Sequence, residues 1–262
     1  MTHFLWGGWV EVRLIFATYL AGALNAVAGG GSFLSFPALL SVGILPIQAN
    51  ATNSVAVWPG QLTSIAAYRE ELRHHHHLLI PLGLAAFVGG MLGAIVLLRT
   101  AQDTFMALVP WLLLSAALLF AASGPVQRWL ARRSASQIKR KPAILPMVLG
   151  ITVVCFYIGY FGAGAGFLII TVLALFGFED MNHINSVKVF CTTCSNGVAV
   201  TTFIVRGYVD WKYCIPMMIA GAIGGYMAAR IGRRLPQAFL RGIVVAIGLT
   251  MAAYFFWRQH HP

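Results

Sequence analysis

Acidic residues are scarce in this sequence. Only seven Asp and Glu residues stand against eighteen Lys and Arg among 262 residues, and charged residues make up 10% of the chain. Soluble domains average about 25% charged residues, so the composition excludes an ordinary soluble domain and indicates an integral membrane protein. Most basic residues fall between apolar segments, as the positive-inside rule and anionic lipid headgroups predict. The net charge of +11 therefore predicts contact with membrane lipid and no nucleic-acid partner.

Signatures of catalysis and of resident metal sites are also lacking. The chain has no phosphate-binding loop, no metal-protease motif and no arrangement of Ser, His and Asp. The consecutive histidines at 74–77 lack the spacing that closes a tetrahedral zinc site. The four cysteines lie in or beside apolar segments, which argues against a disulfide framework. We expect no enzyme activity, no cofactor and no bound metal.

Long apolar segments make up most of the sequence. A helix needs about 20 residues to cross a bilayer, and about eight such segments are available. The stretch 124–143 contains six Lys and Arg and no acidic residue, so it is the best candidate for a cytoplasmic loop. The sequence predicts an all-α polytopic membrane protein with a first repeat at 1–123, a basic linker at 124–143 and a second repeat at 144–262.

The two halves carry the same features in the same order, as duplicated transporters do. Four pairs of motifs match: Gly29-Gly30-Gly31 with Gly162 to Gly166, Thr52-Asn53-Ser54 with Ile184-Asn185-Ser186, Ile80-Pro81 with Ile215-Pro216, and Gly89-Gly90 with Gly224-Gly225. Four crossings in each half would make the halves parallel, whereas a re-entrant hairpin and three crossings would make them inverted. The distribution of Lys and Arg is equal for both arrangements, so both stay open.

Each Gly motif predicts a broken or re-entrant membrane helix, because glycine continues a helix poorly. In hydrocarbon, such a break is tolerated where the freed backbone groups are buried in protein or line a wet cavity. Ser, Thr and Asn follow the breaks and are typical helix caps, and helix N-termini attract anions. Glycines that only allow close helix packing are the alternative.

The sequence therefore predicts a central anion site at these breaks and caps. Its predicted substrate-binding residues are Gly29, Gly30, Gly31, Ser32, Thr52, Asn53, Ser54, Gln61, Gly162, Gly164, Gly166, Asn185, Ser186 and Lys188.

Lys188 is the basic residue that lies well inside an apolar segment of a broken-helix module. A charge at membrane depth is expensive, so its default interpretation is functional. The alternative is a lysine whose long stem reaches the interface. His183 precedes Asn185, and histidine is the residue type whose unperturbed charge change lies near neutral pH, so it is the candidate for coupling to protons, with a simple polar cap as its alternative.

Cys191 and Cys194 lie three residues apart on a predicted helix and share a face. A CxxC pair is redox-active where its thiolate is stabilised and accessible, which leaves a membrane redox or sulfur-handling protein as the rival function. Cysteine is also a common small apolar residue in protein interiors. A channel for other small solutes is a further alternative.

The pattern resembles the sulfite exporter TauE/SafE family, also called the toluene sulfonate uptake permease family. The matching motifs are Gly29-Gly30-Gly31, Pro37-Ala38-Leu39-Leu40, Gly43, Ala51-Thr52-Asn53, Gly162 to Gly166, Asn185-Ser186, Gly207-Tyr208-Val209-Asp210-Trp211 and Gly221 to Gly225. The resemblance implies a multi-pass protein of the bacterial inner membrane that moves small anions such as sulfite, sulfoacetate and other organosulfonates. It does not fix the substrate, the direction of transport or whether the protein is a homo-oligomer.

Overall fold

The computed structural model describes residues 2–27, 30–73, 76–134, 144–176, 178, 181–231 and 237–260, and these residues form helices and short connections without any strand. The helices are α1 (Thr2–Val27), α2 (Ser32–Ser41), α3 (Pro46–Ala67), α4 (Arg69–Arg73), α5 (His76–Arg99), α6 (Gln102–Ser134), α7 (Ile144–Tyr160), α8 (Ala165–Leu175), α9 (Met181–Val205), α10 (Trp211–Ile231) and α11 (Gln237–His260). The prediction of an all-α protein is confirmed.

Helix lengths within the described ranges agree with a multi-pass membrane protein. Spanning helices need about 17–25 residues, and α1, α3, α5, α6, α7, α9, α10 and α11 all reach that length. Four stretches are both long and apolar enough to cross a membrane: Leu78–Arg99, Gln102–Pro125, His183–Val205 and Gly242–Gln259. The short helices α2 and α8 have 10 and 11 residues and cannot span alone.

The two predicted helix breaks are confirmed. In the first half, α1 ends at Val27 and α2 begins at Ser32, and Gly30 between them has φ +115°. In the second half, α7 ends at Tyr160 and α8 begins at Ala165, and Gly162 and Gly164 have φ values of +80° and +73°. Side chains with a β-carbon rarely adopt such values, so glycine is required where the chain turns. Gly29 lies outside the described residues.

The prediction that the Asn, Thr and Ser clusters cap helix N-termini is wrong. Helix α3 begins at Pro46, so Thr52, Asn53 and Ser54 lie inside it, and Asn185 and Ser186 lie inside α9. Proline is favoured in the first helical turn because it has no N–H to satisfy there, which explains the earlier start of α3. The hydroxyls of Ser54 and Ser186 donate to main-chain oxygens of their own helices. Ser32 is the first residue of α2, whose N-cap is Gly31 without a side-chain cap.

The basic stretch between the halves begins as helix. Helix α6 continues to Ser134, so residues 124–134 of the predicted linker are helical, and residues 135–143 lie outside the described residues. The division of the chain into two repeats stays a prediction.

The chain forms two compact units, each of which draws on both halves of the sequence. Unit 1 comprises Met1–Pro59, Thr100–Leu118 and Ile204–Pro262, and unit 2 comprises Gly60–Arg99 and Leu119–Phe203. In unit 1, α1 packs on α10 at glycines: a β-carbon on Gly22 would overlap the backbone of Gly221, and one on Gly224 would overlap the carbonyl oxygen of Tyr19. Such contacts bring helix backbones together without intervening side chains.

Unit 2 is organised around the contact of α5 with α7. A β-carbon on Gly89 would overlap the carbonyl oxygen of Thr152, and one on Gly93 would overlap that of Phe156. Beside this contact, α5, α7, α8 and α9 share one hydrophobic core, whose fully buried members are Leu82, Ala86, Met147, Ile151, Cys155, Ile169, Leu173, Val187 and Cys191. This core holds α9 with one face buried against its neighbours.

Candidate functional site

A polar stripe runs along one face of α9 in unit 2. Its members are Asn185, Lys188, Thr192 and Asn196, and all four are half-buried. Spacings of three and four residues place side chains on the same helical face. The opposite face supplies Ile184, Val187 and Cys191 to the hydrophobic core. Polar side chains in a spanning helix are expensive unless they face the protein interior or water, so this stripe is the feature of α9 that packing alone does not explain.

Lys188 brings a positive charge into this stripe, and no described residue supplies a counter-ion for it. Its ammonium nitrogen donates to Asn185 Oδ1 at 3.1 Å, and Asn185 is neutral. Across the described part of the chain, no carboxylate lies within 4 Å of Lys188, and the ion pair that is present joins Lys212 to Glu11 at the exposed start of α10. Buried or half-buried charges are normally paired, so Lys188 is a candidate anion-binding residue.

The N-terminus of α8 lies beside the stem of Lys188. A β-carbon on Gly166 would lie 3.7 Å from Cδ of Lys188. Gly164 is the N-cap of α8 in a left-handed conformation without a side-chain cap. Among the described residues, the N–H of Gly166 finds no hydrogen-bond acceptor. Free amides at a helix N-terminus carry partial positive charge, which adds to the full charge of Lys188.

Tyr157 holds this break in place. Its hydroxyl donates to the carbonyl oxygen of Ala163 at 2.8 Å, and its own carbonyl oxygen accepts from the amides of Phe161 and Gly162. The turn between α7 and α8 is therefore tied to the last turn of α7 from both sides. Sequence reasoning missed Tyr157, because an aromatic residue in an apolar helix gives no signal for this contact.

Gln61 joins the stripe from α3. Asn196 Nδ2 donates to Gln61 Oε1 at 2.9 Å, and Thr193 Oγ1 lies 3.4 Å from the main-chain oxygen of Gln61. Gln61 was predicted as a site residue, whereas Thr193 and Asn196 were missed. The signal for Asn196 was the continuation of polar residues at helical spacing beyond Lys188.

The predicted residues of the first half form a separate group in unit 1. Asn53 Oδ1 accepts from the hydroxyl of Ser35 at 2.5 Å, which ties α3 to the short helix α2. Thr52 Oγ1 accepts from the amide of Asp210 at 3.0 Å. Both predicted residues are buried, so these bonds satisfy polar groups inside unit 1.

For Gly31 and His183, which were also predicted as functional residues, the structure shows main-chain contacts and no specific role. The carbonyl oxygen of Gly31 accepts from the amide and hydroxyl of Ser35. His183 lies in the first turns of α9, where its carbonyl oxygen accepts from Ser186 at 2.9 Å. Its coupling role stays a prediction.

The cysteine pair lacks the setting of a reactive dithiol. Cys191 is fully buried in the hydrophobic core of unit 2, and Cys194 packs against that core. Both are free thiols. Reactive cysteines lie in accessible, electropositive surroundings, so the burial of Cys191 removes the geometric basis for redox chemistry at this pair.

Comparison with known proteins decides the family. Residues 14–255 match the family model described as sulfite exporter TauE/SafE. The chain belongs to the TauE/SafE family. This is a family of membrane transporters rather than enzymes, so the chain is a membrane transporter, and its several spanning helices make it a multi-pass bacterial membrane protein.

Curated TauE/SafE-like relatives are named only as transporters. A probable membrane transporter protein, ORF9, from Sinorhizobium sp. is 27% identical over 259 residues, which cover 95% of this chain and 93% of that protein. The probable membrane transporter protein YfcA of Escherichia coli K12 is 27% identical over 251 residues, covering 94% and 90%. A Haemophilus influenzae relative is 26% identical over 249 residues, covering 92% of each chain. No solved structure matches the chain significantly.

Proposed function

We propose that this TauE/SafE member transports a small sulfur-containing oxyanion, such as sulfite, sulfoacetate or another organosulfonate, through a site at Lys188. The observation that carries this proposal is the half-buried Lys188, whose side-chain stem lies beside Gly166 at the start of α8, where the amide of Gly166 has no acceptor among the described residues. The family description supports the substrate class.

The donors at this site suit a tetrahedral or pyramidal oxyanion. An ammonium has three N–H donors and no acceptor, and Asn185 takes one of those donors. Two remain for the oxygens of a ligand, and the amide of Gly166 supplies another from the helix N-terminus. Because charge-assisted hydrogen bonds are about twice as strong as neutral ones, an anion is favoured over a neutral solute of the same shape.

Transport requires the site to open to each side of the membrane in turn. Broken helices around a midplane site are a known device for this purpose in secondary transporters, and the break between α7 and α8 is the one that we propose to serve it here. In this mechanism, one part of the protein rocks against the other around the bound anion. His183, three residues before Ser186 on α9, is the candidate that couples the step to protons.

Flux into proteoliposomes tests the function directly. Vesicles that contain the full chain are expected to take up radiolabelled sulfite with saturation, and an excess of sulfoacetate should compete. Empty vesicles provide the background, and glycerol is the neutral solute that separates a selective transporter from an open channel. Equal permeation of glycerol and sulfite, or sulfite uptake no greater than in empty vesicles, would contradict the proposal.

The sulfur-handling rival makes an opposite prediction for the cysteines. The double variant Cys191→Ala/Cys194→Ala is expected to keep sulfite flux within about twofold of wild type, because Cys191 belongs to the hydrophobic core of unit 2 and Cys194 packs against that core. Flux and elution in detergent chromatography are measured together. A correctly folded double variant without flux would favour the rival.

A further inference from the structure

Half-buried amide side chains meet where α3 and α9 contact each other in unit 2. Asn196 Nδ2 donates to Gln61 Oε1 at 2.9 Å. This bond fixes the direction in which the Gln61 carboxamide faces, because its oxygen is occupied by Asn196 and its nitrogen must lie on the other side. Within the described ranges, Gln61 Nε2 has no acceptor. Two N–H donors on α3 are therefore left available.

We propose that Gln61, oriented by Asn196, is a second, uncharged binding site for the transported oxyanion. We call it the second station and the site at Lys188 the first station. The station rests on the transport function proposed above and adds a step to it. A half-buried amide without a partner is costly, and among the described residues Gln61 Nε2 has no acceptor. An oxyanion on its way through the protein, or the water that precedes it, is such an acceptor.

The polar stripe of α9 connects the two stations. Asn196 lies eight residues after Lys188 on the same face, which is two turns or about 12 Å at a rise of 1.5 Å per residue. Thr192 lies between them and is half-buried like both. A small oxyanion cannot bridge this distance, so it occupies the two stations in succession.

The contact between α3 and α9 joins equivalent positions of the two predicted repeats. Counted from the matching residues Asn53 and Asn185, Gln61 and Thr193 are each eight residues further along, and Thr193 Oγ1 lies 3.4 Å from the main-chain oxygen of Gln61. In the predicted two-repeat arrangement, a contact between equivalent positions lies on the axis that relates the repeats. Transporters built from repeats bind their substrates at that axis.

An uncharged station has a physical purpose in transport. Conduction needs binding that is favourable enough for the ion to enter and weak enough for it to leave. Lys188 offers a full charge and holds the anion, whereas the neutral amide of Gln61 offers hydrogen bonds alone. The second station therefore lowers the barrier for departure from Lys188 without trapping the anion.

Substitutions at Gln61 separate a station from a structural tie. Gln61→Met removes the amide donors at nearly constant volume, and Gln61→Glu keeps the oxygen that accepts from Asn196 but replaces the donors with a negative oxygen. If Gln61 binds the anion, maximal sulfite flux should be highest in wild type, lower in Gln61→Met and lowest in Gln61→Glu. The flux of Gln61→Met should lie about 10- to 100-fold below that of wild type, because a hydrogen bond to a charged group is lost. A structural tie predicts that Glu is tolerated better than Met.

The affinity of the first station supplies an independent readout. Thermal stabilisation of the detergent-solubilised protein by sulfite is expected to persist in Gln61→Met, because Lys188 is intact and binding to the folded state raises stability. The half-saturating sulfite concentration should change by less than about threefold while maximal flux falls. The control is Thr201→Val, at an exposed position of α9 where the hydroxyl donates to the carbonyl oxygen of Gly197, and it should transport like wild type.

Each outcome has a distinct meaning. If wild type transports sulfite and the Gln61 variants transport equally well, or if Glu exceeds Met, the second station is overturned while the proposed function stands. If wild type carries no sulfur oxyanion at all, the proposed function itself fails. Asn196→Leu provides the check on orientation: maximal flux should fall by about threefold or more, since the amide of Gln61 is no longer held, and flux equal to wild type contradicts the positioning role of Asn196.

Discussion

Replacing Lys188 with glutamine is expected to raise the sulfite concentration needed for half-maximal flux by about 10- to 100-fold. A hydrogen bond to a charged group contributes about 1.5–3 kcal/mol, and each 1.4 kcal/mol is about tenfold in affinity. The ammonium has no carboxylate partner in the described ranges, so the substitution removes charge from the site without leaving an unpaired acid behind. Sulfite-induced thermal stabilisation in detergent should disappear at the same concentrations.

The matched control for Lys188 is Lys212. Lys212→Gln also removes one positive charge, but from an exposed ion pair with Glu11 at the start of α10. Exposed ion pairs contribute little to stability, typically about 0.2–1 kcal/mol, so this variant should fold and transport sulfite like wild type. Equal half-saturating concentrations in both lysine variants would show that general positive charge, and not the site at Lys188, attracts the anion.

Replacing Gly93 with alanine is expected to destabilise the protein strongly. The added methyl group would overlap the carbonyl oxygen of Phe156 and approach the amide of Tyr160 on α7. Those atoms belong to helix backbone, which cannot move aside as a side chain does. Overpacking costs about 1–3 kcal/mol and occasionally more, and a clash with backbone belongs at the upper end. The apparent melting temperature in detergent should fall by about 5–10 °C, as scaling for a chain of this size implies.

Gly242 supplies the control for the glycine prediction. A β-carbon on Gly242 meets no atom within 4 Å, so Gly242→Ala in α11 adds helix propensity without a clash. Its melting temperature should equal or exceed that of wild type, because alanine is favoured over glycine in a helix by about 1 kcal/mol. A Gly93→Ala protein as stable as Gly242→Ala would contradict the close contact of α5 with α7.

The helix breaks were predictable from sequence because their cause is local. Runs of glycine disfavour helix at any depth in the fold, and the positive φ of Gly30 and Gly162 lies at the predicted positions. The caps were predicted wrongly for a related reason. Asn and Ser favour helix N-termini on average, but Pro46 starts α3 earlier, and the hydroxyl of Ser54 bonds to its own helix instead.

The site was predictable only in part. Lys188, Asn185 and Gln61 stood out because polar residues are rare in apolar segments. Tyr157 and Asn196 did not, since their importance comes from contacts with Ala163 and Gln61 rather than from any motif. A search for polar residues at helical spacing after Lys188 would have found Asn196, and no sequence signal would have found Tyr157.

The sequence by itself determined that this chain lies in a membrane, that its helices break at two glycine motifs, and that one lysine is placed within an apolar helix. These properties follow from composition and from backbone preferences of a few neighbouring residues. Only the tertiary structure decided which polar groups meet. Gln61 and Asn196 are 135 residues apart, and their contact depends on how α3 and α9 pack, which no local preference specifies.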